Sequence, residues 1–584
     1  MRGEFVLLGP AWLALREHSD YPPAVRNLLG EAVVASVLLA STLKFEGELT
    51  LQMQGTGAVR LLVAQCTNDF KVRAVARFHA ARFAEGDSAM DFSTLAGEGT
   101  IAVTVEADKR ASRYQGIVPI DGVSLANRFG LGASPTVGAQ VGGRALPLDA
   151  IKEFQVLVSP YDVRQGNFTG ALVNAVTQSG TNEFKGSAFV YYRDQQMGRD
   201  TAFLRTSPFV RRQLGASVGG PIIKDNLFFF AAYEELTSTR GGPAAGPAGS
   251  DRFNVPITTG DITAAQNIAT NVWGIDIGSA DAAAAELKVK DALIKLDANI
   301  GDNHRASLRW SKTEQDEPLY PSNFTSGGLA MSLDSHWYTQ AKSIETWVGQ
   351  FFSDWSENFS TEFKVSYRDY ASEPVNNSNL PQIRLNFSGA VPGVTGTSAG
   401  LLAGTERSRH FNDLATETWN YYGGANWFLG AHELKFGFDY DDNDVYNAFL
   451  QDTRGNYTFD CINASGTVVY TDPTLTGLGN FSCSALTRAQ YTAAMLENFS
   501  RGRPTSYAVQ VGINGYDLND GVANWDYQNL GLFLQDTWAV NTNLTLTYGV
   551  RIDRKSMGVS PAFNAAAAAV AVNGFVTGQT TPGT

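Results

Sequence analysis

The sequence predicts a mixed fold: a small α/β N-terminal module followed by a mainly antiparallel β, incomplete outer-membrane-type barrel of about 11 strands. Three observations predict it. The composition changes along the chain, because residues 1–120 hold 9 aromatic side chains and the remainder 56, and nearly all of the net charge of −13 lies beyond residue 120. From residue 184 onward, runs of about ten residues alternate apolar or aromatic with polar positions, as strands with one lipid-facing and one wet face do. Short polar turns between these runs alternate with long Gly/Asn/Ser-rich connections, longer than ordinary loops.

Composition also excludes function classes. An acidic chain (45 basic against 58 acidic residues) is not a nucleic-acid binder that works by neutralising phosphates. With 43% hydrophobic and 18% charged residues it is built to fold. Its three cysteines, Cys66, Cys461 and Cys483, and six histidines form no pattern with zinc-site spacing.

The start carries an acid at Glu4, a Gly9-Pro10 break and Arg16-Glu17-His18 where small residues would mark cleavage. It reads as a folded strand and helix start with no signal peptide, so the chain as written is expected in the cytoplasm or in aggregates. After Tyr21-Pro22-Pro23, apolar residues spaced three and four apart from Ala24 to Leu43 predict one long buried helix. Its continuous apolar run, Ala32 to Leu43, is well short of the ~20 residues that span a bilayer. Leu49, Leu51 and Met53 alternate with polar residues, as do Phe70 to Phe78, and further strands are expected near 58–66, 100–106 and 112–119. Cys66, late in a strand, reads as a small buried apolar residue.

Arg2-Gly3-Glu4, Asp20-Tyr21-Pro22, Thr42-Leu43-Lys44-Phe45-Glu46-Gly47, Leu51-Gln52-Met53-Gln54-Gly55 and Arg113-Tyr114-Gln115-Gly116-Ile117-Val118 resemble the core domain of the redox-regulated heat-shock chaperone family. The resemblance covers about 1–120 and implies holdase binding of unfolded protein clients. The four-cysteine zinc module of that family has no counterpart here, so no zinc-dependent redox switch is expected.

In the rest of the chain, tight turns are expected at 220–226, 301–304, 356–358, 429–432 and 540–543. They join strands near 184–194, 211–220, 226–236, 291–300, 304–313, 345–355, 359–370, 417–428, 432–444, 527–539 and 544–553. Long extracellular-type loops are expected near 195–209, 238–289, 314–342, 373–415 and 446–505. In the last hairpin Leu544, Leu546, Tyr548 and Val550 fall on one face and Thr545, Thr547, Gly549 and Arg551 on the other. Trp310, Trp355, Trp427 and Trp538 are placed in an interfacial girdle near the short turns.

Ile120-Asp121-Gly122-Val123, Asn127-Arg128-Phe129-Gly130, Leu148-Asp149-Ala150-Ile151-Lys152-Glu153-Phe154, Pro160-Tyr161-Asp162-Val163-Arg164-Gln165-Gly166 and Asn174-Ala175-Val176-Thr177-Gln178-Ser179-Gly180-Thr181-Asn182 resemble the end of the plug domain of TonB-dependent outer-membrane receptors. Phe184-Lys185-Gly186, Gly219-Gly220-Pro221-Ile222-Ile223-Lys224-Asp225 and Gln535-Asp536-Thr537-Trp538 continue the resemblance into the barrel. It implies an outer-membrane location, outer-membrane lipid and the TonB system as partners, and uptake of a bulky ligand, although no TonB box is found.

The chain thus reads as a fusion: a chaperone-core-like module at 1–120, the end of a plug domain at 121–183 and a partial β-barrel at 184–584, with the crossover within 120–126. The leading expectation is a truncated receptor or transporter. A soluble holdase and a non-functional chimera are the alternatives. Eleven strands are odd in number, so the half-barrel is expected to leave two edges open and to show no uptake.

Glycine-rich Gly241 to Ser250 lacks the Lys-Ser/Thr of a phosphate cradle and is expected to be a flexible loop. The run Asp439-Tyr440-Asp441-Asp442-Asn443-Asp444 lacks the spacing of a calcium loop and is expected at the wet outer end of a strand. No catalytic, cofactor-binding or metal-ligating residue is nominated, and the chain is not expected to be an enzyme. Cys461 and Cys483, within one long loop, are the disulfide candidates in an oxidising compartment.

Overall fold

The computed structural model describes residues 8–16, 21–42, 47–55, 58–67, 69–78, 99–107, 119–121, 123–124, 137, 146–157, 162–164, 166, 172–197, 209–240, 242–281, 285–322, 328–512, 517–558, 571–572 and 575–576. Contacts divide the chain into two compact units, Met1–Ala126 with Glu153–Val176, and Asn127–Lys152 with Thr177–Thr584.

In the first unit a helix at Gly9–Arg16 precedes a longer one at Pro23–Thr42. The long helix starts on a proline, whose fixed φ suits the first turn. It buries Ala24, Val25, Leu28, Leu29, Ala32 and Val33 in a core shared with Val59, Leu62 and Ala64. Each large apolar side chain so buried contributes on the order of 2 kcal/mol. The sheet beneath runs Val72–Phe78, Val59–Thr67, Gly47–Gly55, Gly99–Ala107, with antiparallel neighbours. Tyr21 locks the helix entry to this sheet: its ring lies 6.0 Å from Phe78, and its hydroxyl accepts the Ala76 N–H. Residues 1–7, part of the expected opening strand, and 112–118 of the expected strand at 112–119 lie outside the described residues.

All eleven segments expected in the second unit are strands of one sheet, and they neighbour one another in strict chain order: Lys185–Asp194, Val210–Ile223, Leu227–Arg240, Ala285–Ile300, His304–Leu319, Tyr338–Ser356, Phe359–Asn376, Phe411–Leu429, His432–Leu450, Ala523–Asn541 and Leu544–Met557. Every ladder is antiparallel. The sheet is open, with Lys185–Asp194 and Leu544–Met557 at its edges. The short turns lie where the sequence puts them, and Asp225 (φ 67°), Gly301 (φ 64°) and Gly430 (φ 60°) supply the left-handed backbone that tight hairpins require. Most strands run several residues further toward the long connections than their alternation suggests: the strand expected at 345–355 begins at Tyr338, and that at 291–300 begins at Ala285. Glu314 to Glu317 is polar on both faces, and in the extension from Ala285 the apolar Leu287 and Val289 turn inward and pack on Leu236, so neither carries a lipid-facing signal.

The long connections differ from the expectation. Instead of loose loops, four of them build one shared layer. Ala330–Ser332, Ser398–Ala403, Gln382–Ser388, Asn456–Phe459 and Ser506–Ala508 form a five-stranded mixed sheet in that order. Helices Thr259–Trp273 and Arg488–Ser500 pack with it around Ile257, Ile262, Met331, Leu385, Phe387, Leu401, Met495 and Phe499. Both helices open on a capping box, Thr258 with Asp261 and Thr487 with Gln490. The glycine-rich segment also differs from the expectation of a flexible loop, because Ala245–Gly246 pairs in parallel with Phe253–Asn254 and Ala245 is buried in this core. Residues 198–208 of the connection expected at 195–209 lie outside the described residues.

Candidate functional site

The eleven-stranded sheet has two chemically opposite faces, and strand periodicity alone assigns them. One face exposes Ile294, Leu308, Trp347, Val365, Trp419, Phe438, Leu532, Leu534 and Val550. The other buries Glu234, Asp291, Lys295, Arg309, Gln315, Arg368, Thr418, Asp441, Asn443 and Gln535. This inverts a water-soluble protein, which keeps apolar groups inside and charges outside. It is the apolar-out, polar-in arrangement of a lipid-facing strand.

The exposed face is bounded by two belts of aromatic rings. Trp355, Trp427 and Trp538 lie beside the short turns, as expected. Trp310 does not, because it stands six residues up its strand from His304, with its ring centroid 6.4 Å from that of Trp347. It belongs to a second belt with Trp347, Tyr367 and Trp419. Trp347 and Trp355 are eight residues apart on one strand, which at ~3.3 Å per residue and a ~40° tilt sets the belts about 20 Å apart, close to an outer-membrane apolar band.

Several polar groups on the inward face pair with one another. Arg368 donates to Thr418, whose hydroxyl donates to Asn443, both at 2.9 Å. Asn420 donates to Asp439 and Asp441 at 2.8 and 3.0 Å, and Thr313 donates to Asp291 at 2.6 Å. The acidic run at 439–444 is therefore not the wet end of a strand. Its strand continues to Leu450, and pleating turns Asp439 and Asp441 inward toward Asn420 while Asp442 and Asp444 face outward.

The loop layer is tied to the strand ends by buried histidines. His336 is fully buried with Nδ1 2.8 Å from the Gly404 carbonyl. Burial pushes its pKa down to about 4, although that hydrogen bond opposes the shift. His410 places Nε2 3.1 Å from the Thr405 carbonyl while its Nδ1 accepts the Arg454 N–H, so both ring nitrogens are used by the neutral ring. Burial lowers its pKa as well. Nearby, Asp261 accepts from Thr258 N at 2.7 Å and from Arg488 Nη2 at 2.5 Å. Burial alone would raise the Asp261 pKa, but Arg488 and Thr258 outweigh it and hold the carboxyl below its ordinary range.

Cys461 and Cys483 are joined in the same layer, with Cα atoms 5.9 Å apart. Sequence reasoning missed the Asp261–Arg488 pair and the histidine contacts, although the Thr-x-x-Asp and Thr-x-x-Gln boxes marked where both helices begin. Cys66, in the first unit, is a buried free thiol whose pKa is raised by burial and by Asp69.

Comparison with known proteins separates the two units. Residues 1–130 match the family described as Hsp33 protein. The chain is 46% identical over 131 residues to the 33 kDa chaperonin of Aliivibrio salmonicida (strain LFI1238), covering 22% of this chain and 43% of that protein. It is 43% identical over 128 residues to the 33 kDa chaperonin of Vibrio cholerae serotype O1 (strain ATCC 39315 / El Tor Inaba N16961), covering 22% and 42%. It thus spans less than half the length of these relatives. Among solved structures, the outer membrane transporter YddB from Escherichia coli is similar with a TM-score of 0.46 at 14% identity, over 78% of this chain and 50% of that one. The siderophore receptor PirA from Acinetobacter baumannii follows with 0.39 at 15% identity, over 76% and 49%. Residues 176–265 and 265–573, more than half of the chain, match the outer membrane beta barrel domain, and the chain belongs to that family.

Proposed function

We propose that residues 121–584 act as the ligand-receiving part of a TonB-dependent outer-membrane receptor, seated in outer-membrane lipid. The observation that carries this reading is the inverted sheet, apolar outward and hydrogen-bonded polar inward, with its long connections gathered into one folded layer at the end away from the short turns. The plug-like motifs between Ile120 and Asn182 supply the link to TonB-driven receptors. In this reading the folded layer meets the ligand and the polar face lines its path. The eleven strands do not close, so this stretch alone holds ligand without enclosing a passage.

Reconstitution into liposomes tests it. The full chain should insert and release no trapped solute. A monodisperse species that takes up no lipid would overturn the receptor reading, and solute release would overturn the open sheet. The match of residues 1–130 to Hsp33 protein favours a second reading, a holdase for unfolded protein clients. Suppression of aggregation of a heat-denatured client by the lipid-free chain is its test.

A further inference from the structure

We propose that the outward face carries a binding site for a cationic amphiphile, an alkyl chain ending in an ammonium group, seated over Gly349 between Trp347, Tyr367 and Trp419. Three rows of side chains cross the strands Tyr338–Ser356, Phe359–Asn376 and Phe411–Leu429 in direct register. Nearest the long connections stand Glu345, Asp369 and Glu417, each opposite the next. Two residues closer to the short turns come Trp347, Tyr367 and Trp419, and then Gly349, Val365 and Tyr421. Because Gly349 has no side chain, the aromatic row overhangs a cavity of ≈ 340 Å³ lined by Trp347, Gly349, Val365, Tyr367 and Trp419. The space is real at Gly349 itself, where an added Cβ would meet nothing within 4 Å.

The chemistry of the rows selects the occupant. Like charges directly opposite one another across strands repel, so the three carboxylates gain from a cation placed among them. Glu345 is fixed in place by two indoles, since Trp310 Nε1 and Trp347 Nε1 both donate to its Oε1 at 3.0 Å. Lys312, opposite Glu345 in the register, is paired with Glu314 at 2.8 Å and also lies in the field of Glu345 and Asp369, so it offsets part of the negative charge of a row that Asp444, opposite Glu417, extends. Below the carboxylates, the Tyr367 and Trp419 rings, 4.9 Å apart, offer the π surface that attracts an ammonium group. Val365 and the open Gly349 position accept hydrocarbon below that. The charged end of the site faces the long connections and the apolar end faces the middle of the band, the orientation an amphiphile adopts at a membrane surface.

The proposal rests on the outward face meeting lipid, and its test keeps the two separable. The full chain in nanodiscs of an uncharged, choline-free galactolipid is titrated with a bromoalkyl trimethylammonium probe and with a bromoalkyl maltoside of equal chain length, and tryptophan quenching is read. The ammonium probe should quench at about five-fold lower concentration than the maltoside. Gly349→Leu, which fills the cavity, should remove that preference while insertion into the nanodiscs is retained. Asp369→Asn with Glu417→Gln leaves the cavity open and should also reduce the preference, so it decides the matter if Gly349→Leu does not fold. Equal quenching by both probes, or a preference untouched by these changes, overturns the proposal alone. A chain that takes up no lipid overturns both the proposal and the reading beneath it.

Discussion

Replacing Arg488 with methionine should destabilise the loop layer by about 3 kcal/mol at pH 7, because it removes one partner of a largely buried ion pair and leaves the other charged. The Asp261 side chain is 8% exposed and that of Arg488 22%, so water does little to replace the lost partner. Methionine keeps the volume and the apolar stem, which leaves the charge as the main change. The pH dependence identifies the cause. In the native chain Asp261 has a depressed pKa, so its contribution is complete above the ordinary carboxylate pKa of about 3.9 and is lost only as the pH falls through the lower folded value. Without Arg488, burial raises the pKa instead. The folded variant then binds more protons than its unfolded state below neutrality, and the deficit relative to the native chain shrinks on acidification. Hydrogen exchange of amides 262–273 and 490–500 in the full chain reads this. Exchange should be roughly 100-fold faster at pH 7 and should approach the native rate near pH 4.5. The double variant Asp261→Asn with Arg488→Met should recover part of the loss. A deficit that is below about 1 kcal/mol, or that does not change with pH, would refute the reasoning.

His336 has a folded pKa of about 4 against an ordinary 6.5, so its neutral form stabilises the layer fully above pH 6.5 and that stability is lost as the pH falls toward 4. The loss is about 3 kcal/mol across this window, and exchange of amides 398–410 should accelerate accordingly. Changing Cys461 and Cys483 together to serine should destabilise the same layer by on the order of 3 kcal/mol, the loop-closure entropy over their separation, read as faster proteolysis between 461 and 483. Cys66, buried and with a raised pKa, should resist iodoacetamide at pH 8 in the folded chain and react on denaturation, and rapid native labelling would contradict its placement.

The sheet was legible because lipid imposes a local code: every second residue from Leu544 to Val550 is apolar, and each hairpin ends in a turn that a few residues specify. The Thr545 face follows from the same alternation. The loop layer was not legible, because its core is assembled from Ile257, Met331, Leu401, Phe459 and Met495, which come from four connections far apart in sequence. Within any one connection the signal is short, such as Ile383, Leu385 and Phe387 alternating over one seven-residue strand, and nothing local shows which segments of the other connections it meets. The helix starts carry a local signal in their capping boxes, but the stretches that contain them were expected to be loops. The acidic run was misplaced for a related reason, since a strand polar on both faces beyond the apolar band does not reveal where it ends. Trp310 was assigned to the wrong belt because distance from a turn, and not proximity to it, decides the level of an outward ring.

The inverted sheet is tested most directly by a cysteine scan of Leu544–Met557 in a background carrying Cys66→Ala, Cys461→Ser and Cys483→Ser, with the chain inserted in lipid vesicles. Cysteines at 544, 546, 548, 550 and 552 should react with a membrane-soluble maleimide and be shielded from a charged one, and those at 545, 547, 549 and 551 should show the opposite preference. A uniform response along the strand, or protection from the membrane-soluble reagent at the even positions, would contradict a lipid-facing sheet.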